Sequence, residues 1–151
     1  MEIRFENRDK FKVYGYLIES DEENFERDVE PLWKKHENEL RQIPESKSCL
    51  YGVTWYTDET HQRYYYLVGI ETSKPQSDMV CVEIPAGHFV IATIPKGMTR
   101  LEAWWKYFED VPSRGYAPDE KHGIYFEFFD KNRNFEIWAP VKQIKTDSVS
   151  G

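Results

Sequence analysis

The spacing of apolar and polar residues divides the first half of the chain into a strand, a helix and a hairpin. Residues 10–19 form an apolar run of strand length. Residues 25–43 then place apolar side chains at helical intervals, with charges between them. Two further strands are predicted at 50–56 and 63–71, and because a polar turn at 57–61 separates them, we expect a hairpin.

The limits of the first helix depend on its capping residues and on one proline. Ser20 and Asp21 are residue types that cap helices, which favours a helix that begins soon after them. Pro31 favours a later start near residues 29–30, because proline suits the first turn of a helix and disrupts its interior. Pro44 marks the end of the helix.

The second half of the chain repeats this order of elements. Residues 80–94 read as one strand bent at Pro85–Gly87, and residues 99–109 as a helix. The helix places its large apolar side chains on one wide face. They are Leu101, Trp104, Trp105 and Phe108. Strands at 124–129 and 134–141 form the last hairpin.

The repeated order predicts an α+β fold built from two pseudo-symmetric strand-helix-hairpin units. Thr99 followed three residues later by Glu102 is a capping box, which fixes the start of the second helix. Each unit is too small to cover its own sheet, so we expect the two to share one antiparallel sheet. A groove between such halves is a common place for a ligand.

Length and composition are those of one soluble globular domain. The chain has 151 residues, 40% of them hydrophobic and 31% charged. We expect a single domain over 1–151, with its core at 10–142 and a flexible tail at 143–151. The apolar runs are too short to span a bilayer, and the N-terminus has no signal-peptide pattern. We expect buried, reduced thiols at Cys49 and Cys81 and a cytoplasmic protein with no membrane partner.

Charge and aromatic content narrow the classes of partner. The net charge of −7 would repel phosphate backbones, which argues against direct binding to nucleic acid. The acidic run at 19–30 is interpreted as a solvated helix start. Aromatic residues make up 16% of the chain. That content fits either a well-packed aromatic core or an aromatic-lined pocket.

Glu127 is the candidate for a buried acid. Alternation along the strand places it on one face with Tyr125 and Phe129, and the opposite face is also apolar. A buried carboxylate needs a partner or loses its charge. Three hypotheses follow: an ion pair with a nearby base, which we favour, a solvated groove wall, or a site for a cationic ligand attracted also by the rings.

The orientation of two further pairs of residues stays open at this stage. Glu136 and Trp138 share a face of the last strand, but the length of the turn does not settle whether Glu127 shares that face. Trp104 and Trp105 are neighbours on the helix, so one of them is expected in the core and the other near the groove.

Short motifs in a fixed order resemble the GyrI-like (AraC-type) effector-binding domains of bacteria, over roughly residues 10–142. In the second half these are Val82-Glu83-Ile84-Pro85-Ala86-Gly87-His88-Phe89-Val90, Trp104-Trp105, Ser113-Arg114-Gly115-Tyr116, Phe126-Glu127-Phe128-Phe129 and Glu136-Ile137-Trp138-Ala139-Pro140-Val141. In the first half Pro31-Leu32-Trp33, Tyr51-Gly52-Val53 and Tyr66-Leu67-Val68-Gly69-Ile70-Glu71 look like the integron-cassette branch of that family.

The resemblance implies a groove between two repeats that binds an amphipathic, often cationic, drug-like molecule, with Glu127 as its key acid and Trp138 in its lining. The full set of residues expected at the groove is Glu127, Tyr125, Trp138, Trp105, Phe129, Tyr66 and Trp33. Many members carry a helix-turn-helix domain upstream. This chain starts close to its first predicted strand, so we expect a stand-alone binder acting in transcriptional regulation or toxin sequestration, as a monomer or homodimer, with a separate DNA-binding regulator as a partner.

Two alternatives come from other function classes. Some members of the family are hydrolases of cyclopropane-containing electrophilic toxins, and Glu127 would then be the catalytic residue. The second alternative is a protein-interaction module of the gyrase-inhibitor type that has no small ligand. No cofactor or metal is expected, because the four histidines and two cysteines lie in separate segments without metal-ligand spacing.

Overall fold

Eight strands form one antiparallel sheet, and two helices pack on one of its faces. The computed structural model describes residues 1–142. The strands are β1 (Glu2–Arg8), β2 (Phe11–Asp21), β3 (Leu50–Tyr56), β4 (Arg63–Glu71), β5 (Val80–Ile84), β6 (Gly87–Ile94), β7 (Tyr125–Phe129) and β8 (Phe135–Pro140). The helices are α1 (Phe25–Gln42) and α2 (Arg100–Asp110), and short 3₁₀ turns lie at Glu22–Asn24, Pro44–Ser46 and Pro112–Arg114. The strand order is β1-β6-β8-β7-β3-β4-β2-β5.

The sheet has the internal duplication that the sequence predicts. The unit β2-α1-β3-β4 corresponds to the unit β6-α2-β7-β8, and the two meet where β3 pairs with β7. Each unit gains one edge strand, β5 beside β2 and β1 beside β6. The α+β class and its antiparallel sheet are therefore confirmed, and the β3–β7 pair lies at the centre of the sheet.

The beginning of the chain differs from the prediction. Residues 2–8 form β1, which the sequence pattern does not reveal because most of its side chains are exposed on both faces. The first helix begins at Phe25, so the later start near residues 29–30 is wrong and Pro31 lies inside α1. Asp21 caps the preceding 3₁₀ turn by accepting a hydrogen bond from the Asn24 amide at 3.0 Å.

The middle of the chain needs a second correction. The segment 80–94 is two strands, because the Pro85–Ala86 step sends β5 to pair with β2 and β6 to pair with β1 and β8. The predicted capping box of α2 is confirmed, with Thr99 as the N-cap and Glu102 as its partner. Cys81 is exposed on the edge strand β5 and Cys49 is partly buried, so the expectation of two buried thiols is wrong. The tail at 143–151 lies outside the described residues.

The sheet is strongly curled. β1 and β2 stand six strand positions apart, about 29 Å in a flat sheet. Only two residues, Asp9 and Lys10, connect them, and such a link spans about 11 Å at most. The curl brings Arg8 of β1 to Glu71 of β4 at 2.6 Å. The enclosed face holds one apolar cluster, in which Phe126 is fully buried, and the outer face packs a second cluster against both helices.

No helix within residues 1–142 is both long enough and apolar enough to cross a membrane.

Candidate functional site

A cavity of about 500 Å³ lies on the outer face of the sheet, between the start of α1 and the helix α2. Its floor is the β3–β7 pair, where the two structural repeats meet. The lining residues are Glu22, Glu23, Phe25, Thr54, Trp55, Tyr56, Tyr64, Leu101, Trp104, Trp105, Phe108 and Tyr125. Eight of these twelve are aromatic, so a ligand in the cavity would meet mainly ring faces and edges.

Alternation and register explain why so many rings face one cavity. Tyr56 lies opposite Tyr64 across the β3–β4 pair, and Thr54 lies opposite Tyr125 across the β3–β7 pair. All four side chains therefore stand on the helix-facing side of the sheet. The helix α2 covers this side with Trp104, and the rings of Trp104 and Tyr125 are 6.4 Å apart in an edge-to-face arrangement.

Glu127 lies directly behind this aromatic wall and is fully buried. Both of its carboxylate oxygens accept hydrogen bonds from neutral side chains. The Tyr66 hydroxyl donates to Oε1, and Trp104 Nε1 donates to Oε2 at 2.5 Å. Trp33 Nε1 donates in turn to the Tyr66 hydroxyl at 2.7 Å. The carboxylate is thus the end of a chain of donors that connects α1, β4, β7 and α2.

Burial dominates the electrostatics of Glu127. Desolvation raises the pKa of this carboxyl to about 7, even though the charge of Arg100 and the bonds from Tyr66 and Trp104 lower the pKa. The pKa of the Tyr66 hydroxyl is raised well above its ordinary value by burial and by the nearby Glu127 charge. Glu127 is therefore poised to gain or lose a proton near neutral pH.

The ion pair that the sequence favours for Glu127 does not occur among residues 1–142. Arg100 is the base whose charge acts on it, but the Arg100 guanidinium bonds to both oxygens of Glu30, at 2.9 and 3.0 Å. The same guanidinium lies 4.3 Å from the centre of the Trp33 ring. Glu127 instead relies on neutral donors, whose hydrogen bonds partly compensate for burial and favour its ionised form.

The seven predicted groove residues fall into three places. Tyr125 and Trp105 line the cavity directly. Glu127, Tyr66, Trp33 and Phe129 form the buried layer behind it, and the rings of Trp33 and Phe129 are 4.9 Å apart. Trp138 lies elsewhere.

Trp138 packs on the enclosed face of the sheet. It lies opposite Phe126 in the β7–β8 pair, while Ile137 lies opposite Glu127. Because of this register, Ile137 lies on the same face of the sheet as Glu127, and Trp138 lies on the opposite face. The open question about the helix pair also has an answer: both tryptophans line the cavity, Trp104 with 8% of its surface exposed and Trp105 with 69%.

The sequence prediction omits several residues of the cavity. Tyr56 and Tyr64 share the face of Tyr66 by simple alternation along the first hairpin, so this signal was present. Glu22, Glu23 and Phe25 carry no such signal, because they reach the cavity only through the packing of the start of α1 against the sheet. Among residues 1–142 no group of three side chains is arranged to hold a metal ion.

Comparisons with known proteins identify a family from the sequence and related structures from the fold. The family model described as integron-associated effector binding protein matches residues 4–141. The comparison with curated proteins found no match.

Several solved structures have a similar fold. An integron cassette protein from the mobile metagenome of Vibrio cholerae aligns with a TM-score of 0.70 and 16% identity, covering 93% of this chain and 95% of that one. SAV2435 bound to tetraphenylphosphonium gives a TM-score of 0.70 and 12% identity, with 94% of each chain covered. The EcmrR C-terminal domain aligns with a TM-score of 0.53 and 14% identity, covering 95% of this chain and 98% of that one. At these identities the likeness shows the fold, and the family match adds small-molecule binding as the family's role. The chain therefore belongs to the family of integron-associated effector-binding proteins.

Proposed function

We propose that the cavity between α1 and α2 binds a bulky aromatic organic cation. The observation that carries this proposal is the lining itself, in which eight aromatic rings surround about 500 Å³ and the two charged side chains are both carboxylates. A volume of this size suits a drug-like molecule. Each ring that faces a cation contributes about 0.5–2 kcal/mol of attraction, depending on how far the cation is desolvated.

Glu127 supports the same class of ligand from behind the wall. In its ionised form it places a negative charge in a low-dielectric region next to Trp104, and a cation in the cavity would stabilise that form. We propose that Trp33, Tyr66 and Phe129 act through this carboxylate, as the residues that hold it in place. Tyr125 and Trp105 would contact the ligand directly.

The likeness to a protein whose structure contains tetraphenylphosphonium supports the choice of a lipophilic cation. In the cell we propose a cytoplasmic binder that acts as a monomer or homodimer. It would act in transcriptional regulation with a separate DNA-binding protein, or in sequestration of a toxic compound.

Binding explains the geometry better than hydrolysis does. A hydrolase of electrophilic toxins would need an oxygen of Glu127 that faces the cavity, either to activate water or to attack directly. In this structure Tyr66 and Trp104 bond to both oxygens, and Glu127 is not among the residues of the cavity lining.

The test is isothermal titration calorimetry with tetraphenylphosphonium and with its neutral relative triphenylphosphine oxide. The wild type should bind the cation more tightly than the neutral compound. Trp105→Ala and Phe108→Ala remove exposed rings of the cavity and should weaken cation binding by roughly three- to tenfold each, the loss of about one ring contact.

Trp138→Phe is the matched control, because Trp138 lies on the other face of the sheet. Its affinity for the cation should equal that of the wild type. Equal affinity for the cation and the neutral compound, or full affinity in both cavity variants, would contradict the proposal.

A further inference from the structure

The first residue of α2 is a largely buried arginine that connects α2 to α1. Arg100 has 15% of its side chain exposed, and its guanidinium bonds to both oxygens of Glu30 at 2.9 and 3.0 Å. Glu30 has 42% of its side chain exposed, so the positive member of the pair lies deeper in the protein than the negative one. Water therefore screens the charge of Glu30 more strongly than the charge of Arg100.

The guanidinium of Arg100 lies against two rings of the layer that surrounds Glu127. It is 4.3 Å from the centre of the Trp33 ring and 5.5 Å from the centre of the Phe129 ring. Phe129 follows Glu127 by two residues on the same face of β7. Trp33 donates to the Tyr66 hydroxyl, which donates in turn to the Glu127 carboxylate. The charge of Arg100 therefore acts on Glu127 through space, across one layer of rings.

Two charged side chains act on Glu127 within residues 1–142. The charge of Arg100 favours the ionised carboxylate, and the charge of Glu30 opposes it. Tyr64 and Tyr66 of β4 also lie near Glu127, but burial raises the pKa of Tyr64 to about 12 and that of Tyr66 well above its ordinary value. Both hydroxyls are therefore neutral near pH 7. The residues opposite Glu127 on the neighbouring strands are uncharged: Gly52 of β3 and Ile137 of β8.

We propose that the Arg100–Glu30 pair controls the charge of Glu127, with Arg100 as a positioning residue that favours the ionised carboxylate and Glu30 as the residue that limits this effect. Bonds to both oxygens of Glu30 fix the place of the guanidinium. The two members of the pair thus act on Glu127 in opposite directions. This role exists in the protein without a ligand, and so it goes beyond the proposed function.

The sign of the effect separates this role from a purely structural one. Removing either member breaks the same ion pair, so any loss of stability has the same direction in both cases. The charge near Glu127 changes in opposite directions. Glu30→Gln leaves the positive charge of Arg100 uncompensated, which favours the ionised Glu127, whereas Arg100→Met leaves the negative charge of Glu30, which favours the neutral form.

The test is a pH titration of the Glu127 side-chain carboxyl carbon by NMR, with carbon-13 labelled glutamate and with Glu127→Gln to assign the signal. Glu30→Gln should lower the titration midpoint of Glu127 by about one pH unit, and Arg100→Met should raise it by about the same amount. Arg100→Lys keeps the charge but loses the fork, so its midpoint should stay within about half a pH unit of the wild type. The amide oxygen of Glu30→Gln can still accept a bond from Arg100, which preserves the packing of the pair.

Arg4→Met and Glu136→Gln are the matched controls. Their ion pair measures 2.7 Å, and it lies on the other face of the sheet, where Trp138 donates to Glu136 and lies beneath Arg4. Each control should leave the Glu127 midpoint within about 0.3 pH unit of the wild type, as expected for distant and partly exposed charges.

Opposite shifts in Glu30→Gln and Arg100→Met would support the inference. Shifts of the same sign, or midpoints that equal that of the wild type, would overturn it. If Arg100→Met proves too unstable to titrate, Glu30→Gln decides alone, because a midpoint that does not fall contradicts the proposed role of Glu30. The titration needs no ligand, so a failure to bind cations would overturn the proposed function and leave this inference intact.

Discussion

Gly52 of β3 lies directly opposite Glu127 of β7, and its missing side chain makes room for the buried carboxylate. A Cβ atom at position 52 would overlap the Tyr66 hydroxyl and Glu127 Oε1. The central strand pair therefore carries a glycine at the point where the two repeats meet, and the hydrogen-bonded group of Tyr66, Glu127 and Trp104 occupies the space. Elsewhere in the interior of a strand, glycine weakens the sheet because it has no side chain to pack.

Gly52→Ala should destabilise the protein by roughly 1–3 kcal/mol, the usual cost of forcing atoms into a packed interior. The substitution also places the new methyl group against the Tyr66 hydroxyl. Urea denaturation would measure the change in the free energy of unfolding. In a Tyr66→Phe background, which lacks that hydroxyl, the cost of Gly52→Ala should be smaller. Equal stability of Gly52→Ala and wild type would contradict this account of the glycine.

Stability should fall as pH rises through neutrality because of Glu127. Its pKa of about 7 in the folded protein exceeds the value near 4.5 of an ordinary glutamate, so the folded state binds the proton more tightly than the unfolded state does. The resulting stabilisation is complete below pH 4.5 and is lost through pH 7. The loss amounts to roughly 3 kcal/mol.

Urea denaturation of the wild type and Glu127→Gln at pH 5, 6, 7 and 8 tests this prediction. Both proteins share every other titratable group, so the difference between the two slopes isolates Glu127. The wild type should lose more stability than the variant between pH 5 and pH 8. Parallel curves would mean that Glu127 titrates well below this range.

Ligand affinity should follow the opposite trend. A cation in the cavity stabilises the ionised form of Glu127, so tetraphenylphosphonium should bind more tightly at pH 8 than at pH 6, by up to about tenfold. Calorimetric titrations at the two pH values would measure the change, with Glu127→Gln as the control that should show a smaller dependence. A wild-type affinity that is equal at both pH values would mean that the charge of Glu127 does not affect ligand binding.

The sequence predicts the order of elements well, because that order depends on local patterns. Helical spacing locates α1 and α2, and the Thr99–Glu102 capping box gives the start of α2 to the residue. Alternation also places Tyr125, Glu127 and Phe129 on one face. β1 is invisible to the same reasoning, since an edge strand with mostly exposed side chains has no apolar pattern to detect.

The site is less predictable because it depends on register and on packing between distant segments. The length of the last turn does not determine whether Trp138 or Ile137 faces the same way as Glu127, and the pairing assigns that place to Ile137. Glu22 reaches the cavity through the approach of α1 to the sheet, a tertiary contact with no local signature. The donors of Glu127 come from α2 and β4, and so no single segment reveals them.

The location of a bound cation tests the central claim most directly. We would record nuclear Overhauser contacts between tetraphenylphosphonium and the aromatic protons of the protein at saturating ligand. The account predicts contacts with Tyr56, Trp105 and Tyr125, the rings that line the cavity between α1 and α2. Contacts confined to exposed apolar side chains elsewhere, such as Phe5 of β1 and Val80 of β5, would contradict it.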